Sequence, residues 1–304
     1  MTSQTISGIS DDALTHRLKT EGIVLEAFPF VFRIKSPLAI VREGLQAVYA
    51  DYPVLPVDST FVDFHVAVVS ARRVPRPLCV FEVDGARPFT PLAAGEAFAF
   101  LEWGMNWCVT GYCHSFLTIH SAVLERAGRV LIMPAPPGSG KSTLCAALVL
   151  SGWRLLSDEM ALLDTRTGLV VPSPRPISLK NKSIDIIRGR APEAHFGPIA
   201  YDTMKGTVAH MRVPADSLAR AREAALPAWV VFPQYKAEAD ASLALRSKAT
   251  SLVQLADNSF NQTVMGRAGF EALARLIDSS DCYDFTYGRL DEAIEVFSNL
   301  PIPR

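Results

Sequence analysis

The chain has 304 residues, of which 49% are hydrophobic, and its formal net charge is −1. This length and apolar content suffice for one large domain or two ordinary ones with a sizeable core. A net charge so close to zero provides no general field that would gather nucleic acid or an anionic membrane, so neither is expected as a partner.

Cysteine usage and the apolar pattern bear on the compartment. The five cysteines are odd in number and include no C-x2-C pair, which argues against a disulfide framework and a zinc ribbon. Residues 1–17 are rich in Ser, Thr and Asp and lack the basic-then-apolar order of a signal or transit peptide. No apolar stretch approaches the roughly 20 residues of a membrane helix. We therefore expect a soluble, cytoplasmic protein.

The first third of the chain has the pattern of a small α+β lobe. A helix is predicted at 38–49, where apolar residues recur at helical spacing. A basic, Pro-containing turn at 72–77 separates two of the predicted strands. Strands are predicted at 28–34, 61–69 and 78–83. We expect 1–94 to form this N-terminal lobe and 95–304 to form a second domain.

The second domain begins with a predicted helix at 95–113, and its next elements follow in short order. These are strands at 116–124 and 129–133, a loop, a helix at 141–151, a strand at 154–156 and then two carboxylates. The order strand, loop, helix, strand is typical of a nucleotide-binding α/β core. Further elements are predicted at 177–179 as an extension of the sheet, 229–232 and 283–286 as strands, and 252–277 and 291–300 as helices.

The loop of this core carries a phosphate-binding motif. Ala135 to Ser142 fit the Walker A pattern G-x-x-x-x-G-K-[ST], except that Ala stands in the first glycine position. In such a loop backbone amides and the helix start hold phosphate oxygens, the lysine spans the β and γ oxygens, and the serine hydroxyl binds Mg²⁺. An accidental Gly/Pro turn is the alternative, but the flanking strand and helix favour ATP binding. The predicted nucleotide ligands are Pro136, Pro137, Gly138, Ser139, Gly140, Lys141, Ser142 and Thr143.

The residues around the loop resemble the HPr kinase/phosphorylase superfamily. That family has a strand-borne His, a G-x-x-G-x-G-K-S loop and a G-x-x-L-x-[AS]-D-D segment; here His120, Lys141 and Asp158 follow one another at intervals of 21 and 17 positions. The likeness extends over most of the chain and is greatest to the HPr-kinase-related kinase A family. It is carried by Pro176 to Asn181, Lys205 to His210, Trp229 to Pro233 and Asp281 to Tyr283.

This resemblance implies a P-loop core like that of HPr kinase and phosphoenolpyruvate carboxykinase, a mixed sheet with flanking helices. It implies that Asp158 is the catalytic base, that His120 tunes it and that Lys141 acts on the phosphates. Glu159 stands where the family has a second Asp near the metal, so Ser142 and Glu159 are the expected Mg²⁺ ligands. The residue-level alternatives are a turn cap for the Asp158-Glu159 pair and a structural role for His120.

The activity implied is Mg-ATP-dependent transfer of the γ-phosphate to a Ser or Thr hydroxyl of a peptide or small protein. A PqqD-like peptide-binding protein is an implied partner, and family members form assemblies, so a homo-oligomer is one expectation. Two other functions stay open: a small-molecule kinase on the same fold and a non-catalytic ATP-binding switch. Phosphorolysis is a further alternative.

Weaker candidates lie outside the core motifs. Asp185 is either a metal-site residue or, as its periodicity favours, a polar residue of an amphipathic turn. Lys180, Lys205 and Arg212 are either cations near the phosphates or solvated surface residues. The 72–77 stretch is either a docking site for an acidic partner or an exposed basic hairpin.

Overall fold

The computed structural model describes residues 4–71, 77–136 and 138–301. Its strands are β1 (Gln4–Thr5), β2 (Ile23–Ala27), β3 (Phe30–Lys35), β4 (Pro53–Leu55), β5 (Phe64–Ala71), β6 (Leu78–Val83), β7 (Leu92–Ala93), β8 (Leu117–Arg126), β9 (Arg129–Pro134), β10 (Arg154–Ser157), β11 (Met160–Leu163), β12 (Val170–Val171), β13 (Ile177–Lys180), β14 (Ala200–Thr203), β15 (Gly206–Met211), β16 (Leu226–Tyr235), β17 (Ser242–Leu245) and β18 (Asp281–Tyr287). Its α-helices are α1 (Asp11–Lys19), α2 (Ala39–Val48), α3 (Ala97–Tyr112), α4 (Lys141–Leu150), α5 (Lys182–Arg190), α6 (Ala215–Ala219), α7 (Lys248–Asp257), α8 (Gln262–Asp278) and α9 (Leu290–Ser298). The fold is therefore α/β.

The chain divides into two compact units, and the chain crosses between them more than once. Unit 1 comprises Met1–Gly111 and Arg175–Leu218, and unit 2 comprises Tyr112–Pro174 and Ala219–Arg304. The division falls at residue 111, whereas the sequence-based boundary lies between 94 and 95. No helix within the described ranges is long and apolar enough to cross a membrane.

Unit 1 is built on a seven-stranded sheet with the order β1-β4-β2-β3-β5-β6-β7. Helix α3 belongs to this unit because its aromatic side chains pack there: the ring of Phe100 lies 5.9 Å from that of Phe81 on β6. The contact is close enough that a Cβ on Gly104 would lie 2.2 Å from the Phe81 ring. The helical pattern of α3 is visible in the sequence, but the sheet it covers is not.

The returning segment of unit 1 forms its own small antiparallel sheet in the order β13-β15-β14. Ile177 pairs with Met211 and Lys180 with Val208 in this sheet. The expectation that 177–179 extend the sheet of the nucleotide-binding core is therefore wrong. The apolar run at 177–179 indicates a strand. The strand that pairs with it lies some thirty residues further along the chain, so the run alone does not show which sheet it joins.

A buried ion pair joins the two chain segments of unit 1. Arg175 Nη2 lies 2.7 Å from Glu102 Oε2 on α3. The Nη1 atom of Arg175 donates to Asn106 Oδ1 at 2.6 Å. Its Nε also donates to the hydroxyl of Tyr49, whose pKa is raised well above its usual value by burial. Because both charges are almost completely buried, each depends on the other for compensation.

Unit 2 is an eight-stranded mixed sheet in the order β12-β11-β8-β9-β16-β18-β17, with β10 also paired to β8. Strands β9, β16 and β18 run parallel, and β8 runs antiparallel to β9. Apolar residues of α7 and α8 pack against Val130, Ile132 and Val230 on one face. The opposite face carries α4 and α9, where Phe297 contacts Phe285 of β18 at 4.9 Å between ring centroids.

A second buried ion pair joins β10 to β8 in unit 2. Arg154 Nε on β10 donates to Glu125 Oε2 on β8 at 2.5 Å, and both side chains are almost completely buried. The same guanidinium donates to the backbone oxygens of Arg220 and Glu223. Strand β10, which leads to Asp158, is thus held in register beside β8.

Candidate functional site

The loop between β9 and α4 has the conformation that its glycines permit. Gly138 and Gly140 have φ values of +87° and +85°, in the left-handed region where a side chain is strained. Ala135, by contrast, is buried and has no positive φ. An alanine is therefore compatible with the first glycine position of the motif. Pro137, one of the predicted nucleotide ligands, lies outside the described residues.

Two tyrosines hold the loop against the neighbouring strands. The backbone N–H of Tyr235, the last residue of β16, donates to Ser139 O at 2.9 Å. The phenol of Tyr287, the last residue of β18, donates to Gly140 O at 3.0 Å. A Cβ on Gly140 would lie only 2.4 Å from that phenol oxygen. Glycine is thus required here by both conformation and space.

Lys141 and His120 meet at one end of the loop. Lys141, the first residue of α4, is 8% exposed, and its Nζ lies 3.1 Å from His120 Nε2. A lysine ammonium has only donors, so it donates to His120 Nε2 in this contact. The two residues lie 21 positions apart in sequence and are brought together because β8 is antiparallel to β9.

The connection from β10 to β11 brings Asp158 and Glu159 beside His120. Met160, directly after them, pairs with His120, and Ser121 N donates to Glu159 O at 3.3 Å. Ser157 Oγ accepts from the backbone N–H groups of Glu159 and Met160, which closes the turn. Asp158 is 3% exposed, whereas Glu159 is only partly buried. The structure thus places His120, Lys141 and the two carboxylates around one end of the loop.

Cys145 is a site residue that the sequence reasoning missed. It lies one helical turn after Lys141 on α4 and is completely buried. Burial raises the pKa of its thiol well above the usual value, and the neighbouring Asp158 carboxylate, to which the thiol hydrogen-bonds, raises it further. The protonated thiol is therefore a donor that orients Asp158. The i, i+4 spacing from Lys141 was the available signal.

The chemistry of the donor set fits a magnesium ion held mainly by nucleotide phosphates. Ser142 and Glu159 are both partly buried, and Ser142 belongs to the first turn of α4 together with Thr143. In the described part of the chain no three His, Cys, Asp or Glu side chains cluster as a complete metal site. Magnesium bound to a nucleotide takes few protein ligands, often one or two, and keeps several waters.

The linker between α7 and α8 forms a further wall of the site. His120 N donates to Asn258 O at 2.8 Å, and Phe260 N donates to Thr118 O at 3.0 Å. The linker therefore continues beside β8 where β9 has left the sheet to form the loop. The Phe260 ring, about half exposed, lies 5.7 Å from the His120 ring.

The remaining candidates belong to unit 1 rather than to the unit of the loop. Arg212 pairs with Asp51, which supports a structural role. Asp185 lies on an exposed position in the first turn of α5, and Lys205 is exposed between β14 and β15. Residues 72–76 of the basic turn lie outside the described residues.

Comparison with known proteins adds no further assignment. No protein-family model matches the chain, and no curated protein matches it.

Proposed function

We propose that the chain is a Mg-ATP-dependent phosphotransferase of the HPr-kinase type, which moves the γ-phosphate to a Ser or Thr hydroxyl of a peptide or small protein. The observation that supports this best is the meeting of His120, Lys141 and Asp158 at one end of a phosphate-binding loop. A nucleotide-binding loop alone is shared by many classes of protein. A buried carboxylate that contacts Cys145, one helical turn after the lysine of the loop, adds a group that can act on an acceptor hydroxyl.

The residues around the loop have distinct tasks in this proposal. The loop amides and the positive end of α4 hold the phosphates, and Lys141 spans the β and γ oxygens. When bound, Mg²⁺ would neutralise phosphate charge beside Ser142 and Glu159. Phosphoryl transfer depends mainly on such positioning and charge neutralisation, since the protein forms no covalent intermediate.

Asp158 orients the acceptor hydroxyl and takes its proton. As the acceptor oxygen bonds to the γ-phosphorus, the bond from that phosphorus to the β–γ bridging oxygen breaks, and ADP leaves. Cys145 holds the carboxylate in place by donating to it, and His120 holds Lys141 before the nucleotide arrives. The acceptor as a peptide or a PqqD-like partner protein rests on the family resemblance.

Transfer of labelled phosphate tests the proposal. The protein is incubated with γ-labelled ATP, Mg²⁺ and a library of Ser- and Thr-containing peptides together with PqqD-like proteins, as wild type and as Asp158→Asn. We expect label in an acceptor for the wild type and a loss of about 10²- to 10⁴-fold for Asp158→Asn, the contribution of a general base. Nucleotide affinity of the variant is expected to stay near that of the wild type.

Asp278→Asn is the matched control, because this exposed residue ends α8 and makes the same change of charge. It is expected to transfer label like the wild type. Transfer of label to no acceptor, with ATP binding intact, would overturn the kinase proposal in favour of an ATP-binding switch. Equal transfer by Asp158→Asn and wild type would show that Asp158 is not the base.

A further inference from the structure

The two flanks of the phosphate loop are chemically different. On one flank lies β8, with His120, the Asp158–Glu159 connection between β10 and β11, and the 258–261 linker. On the other flank lie β16 and β18, because β16 is the neighbour of β9 opposite β8. Tyr235 and Tyr287 pair with each other in register at the ends of these strands.

This difference gives a bound triphosphate a direction. Lys141 Nζ lies on the β8 flank, so the γ end of the nucleotide belongs beside His120 and Asp158. The α-phosphate then lies over the first turn of α4, near Ser142 and Thr143. The β8 flank carries the Asp158–Glu159 connection and the 258–261 linker, both hydrogen-bonded beside β8. A nucleoside attached to the α-phosphate must therefore leave the loop towards β16 and β18.

Tyr235 presents an aromatic ring on that path. Its side chain is 50% exposed, although its backbone N–H is fixed to Ser139 O of the loop. The ring packs edge-on against Tyr287, with 5.6 Å between centroids. Tyr287 is itself buried and donates to Gly140 O, so it supports the loop and the Tyr235 ring together. Tyr235 is therefore a half-exposed ring, fixed on one side by Tyr287, beside the phosphate loop.

We propose that Tyr235 forms the base subsite of this loop, with its half-exposed ring stacked on the nucleobase. This proposal rests on the proposed nucleotide binding, but not on the acceptor or on phosphoryl transfer. A rigid aromatic ring provides a large contact area with little loss of conformational entropy. Stacking does not read hydrogen-bonding edges, so Tyr235 distinguishes a nucleotide from a bare triphosphate rather than one purine from another.

Titration calorimetry with two probes tests the inference on the full chain. The probes are Mg-ATP, which has a base, and Mg-tripolyphosphate, which has none. Tyr235→Ala is expected to weaken Mg-ATP binding about tenfold, within the range found for loss of one base–aromatic stack. Its affinity for tripolyphosphate is expected to stay unchanged, because the bond to Ser139 uses the backbone of residue 235. Tyr235→Phe, which keeps the ring, is expected to bind both probes like the wild type.

Phe270→Ala is the control, since Phe270 is 52% exposed and lies on α8, which covers the opposite face of the sheet from α4. It is expected to change neither affinity. The inference is overturned if Tyr235→Ala binds Mg-ATP like the wild type, or if it weakens both probes equally and so acts through the loop. If the wild type binds neither probe, the nucleotide-binding proposal itself fails and the base subsite with it.

Discussion

Replacing Gly140 by alanine probes whether the loop is held as described. The φ of +85° costs an alanine about 1–2 kcal/mol on its own, as for any L-residue in the left-handed region. The new Cβ would also lie 2.4 Å from the Tyr287 phenol oxygen and 2.9 Å from Tyr235 Cβ. Overpacking of this kind typically costs a further 1–3 kcal/mol. We therefore expect Gly140→Ala to lower the free energy of unfolding by about 2–5 kcal/mol.

Gly138→Ala is the matched comparison, because its φ is nearly the same but no described atom comes within 4 Å of the added Cβ. Gly138→Ala should lower the free energy of unfolding only by the conformational contribution, about 1–2 kcal/mol. Urea denaturation, monitored by tryptophan fluorescence, measures the free energy of unfolding of both variants. Titration with Mg-ATP shows whether the altered loop of each variant still binds the nucleotide. Equal losses for the two variants would refute the close packing of the tyrosines on the loop.

Three further outcomes follow from buried groups. Glu125→Ala removes the buried carboxylate that neutralises the Arg154 guanidinium and leaves that charge with backbone oxygens and the exposed Glu223 carboxylate. It is expected to lower the free energy of unfolding by about 3–5 kcal/mol in urea denaturation; a loss under about 1 kcal/mol would contradict the importance of the buried pair. Asn261→Ala removes the side-chain hydrogen bonds to Thr118 N and Phe116 O. It is expected to lower the free energy of unfolding by about 2–4 kcal/mol in the same assay, whereas a loss as small as that of a surface substitution would contradict a linker fixed by these bonds. Native-state thiol labelling at pH 8 is expected to modify one cysteine, Cys113, because the other four are buried and burial raises their thiol pKa values, so that thiolate forms only at higher pH; mass spectrometry showing rapid modification of a second site would contradict this.

The parts of the site that the sequence could predict are local ones. The strand, loop and helix around Lys141 follow one another directly, so the apolar pattern and the glycines define them together. The position of Asp158 after a short strand is visible in the same way. The motif predicts that Gly140 is required for phosphate binding. It does not predict the contact of Gly140 with Tyr287.

The parts that the sequence could not predict depend on distant pairing. The 258–261 linker lies beside β8 through hydrogen bonds between residues about 140 positions apart, and no local pattern specifies them. For the same reason the stretch 252–277, predicted as largely helical, is two helices, α7 and α8, separated by that linker. Tyr235 lies beyond the strand predicted at 229–232, and only the longer β16 and its parallel pairing with β9 bring it to the loop.

Helix α1 and strand β2 are not among the predicted elements, and for the helix the reason is a different one. The helix has a single buried i, i+4 pair, Leu14 and Leu18, in a mostly polar sequence, so its hydrophobic pattern is short. Its Ser10 cap and its two first-turn acids were the stronger signal. The compact units divide at residue 111 rather than between 94 and 95 because α3 packs with the preceding sheet, which its own periodicity does not reveal.

In the proposed complex, the loop orders a triphosphate with its γ end at Asp158 and its base at Tyr235. An experimental structure of the protein with Mg²⁺ and a non-hydrolysable ATP analogue tests it most directly. We predict Lys141 Nζ on the β and γ oxygens, the γ-phosphate beside His120 and Asp158, and the base on the Tyr235 ring. An analogue bound elsewhere, or bound in the loop with its γ-phosphate towards Tyr235, would contradict the account.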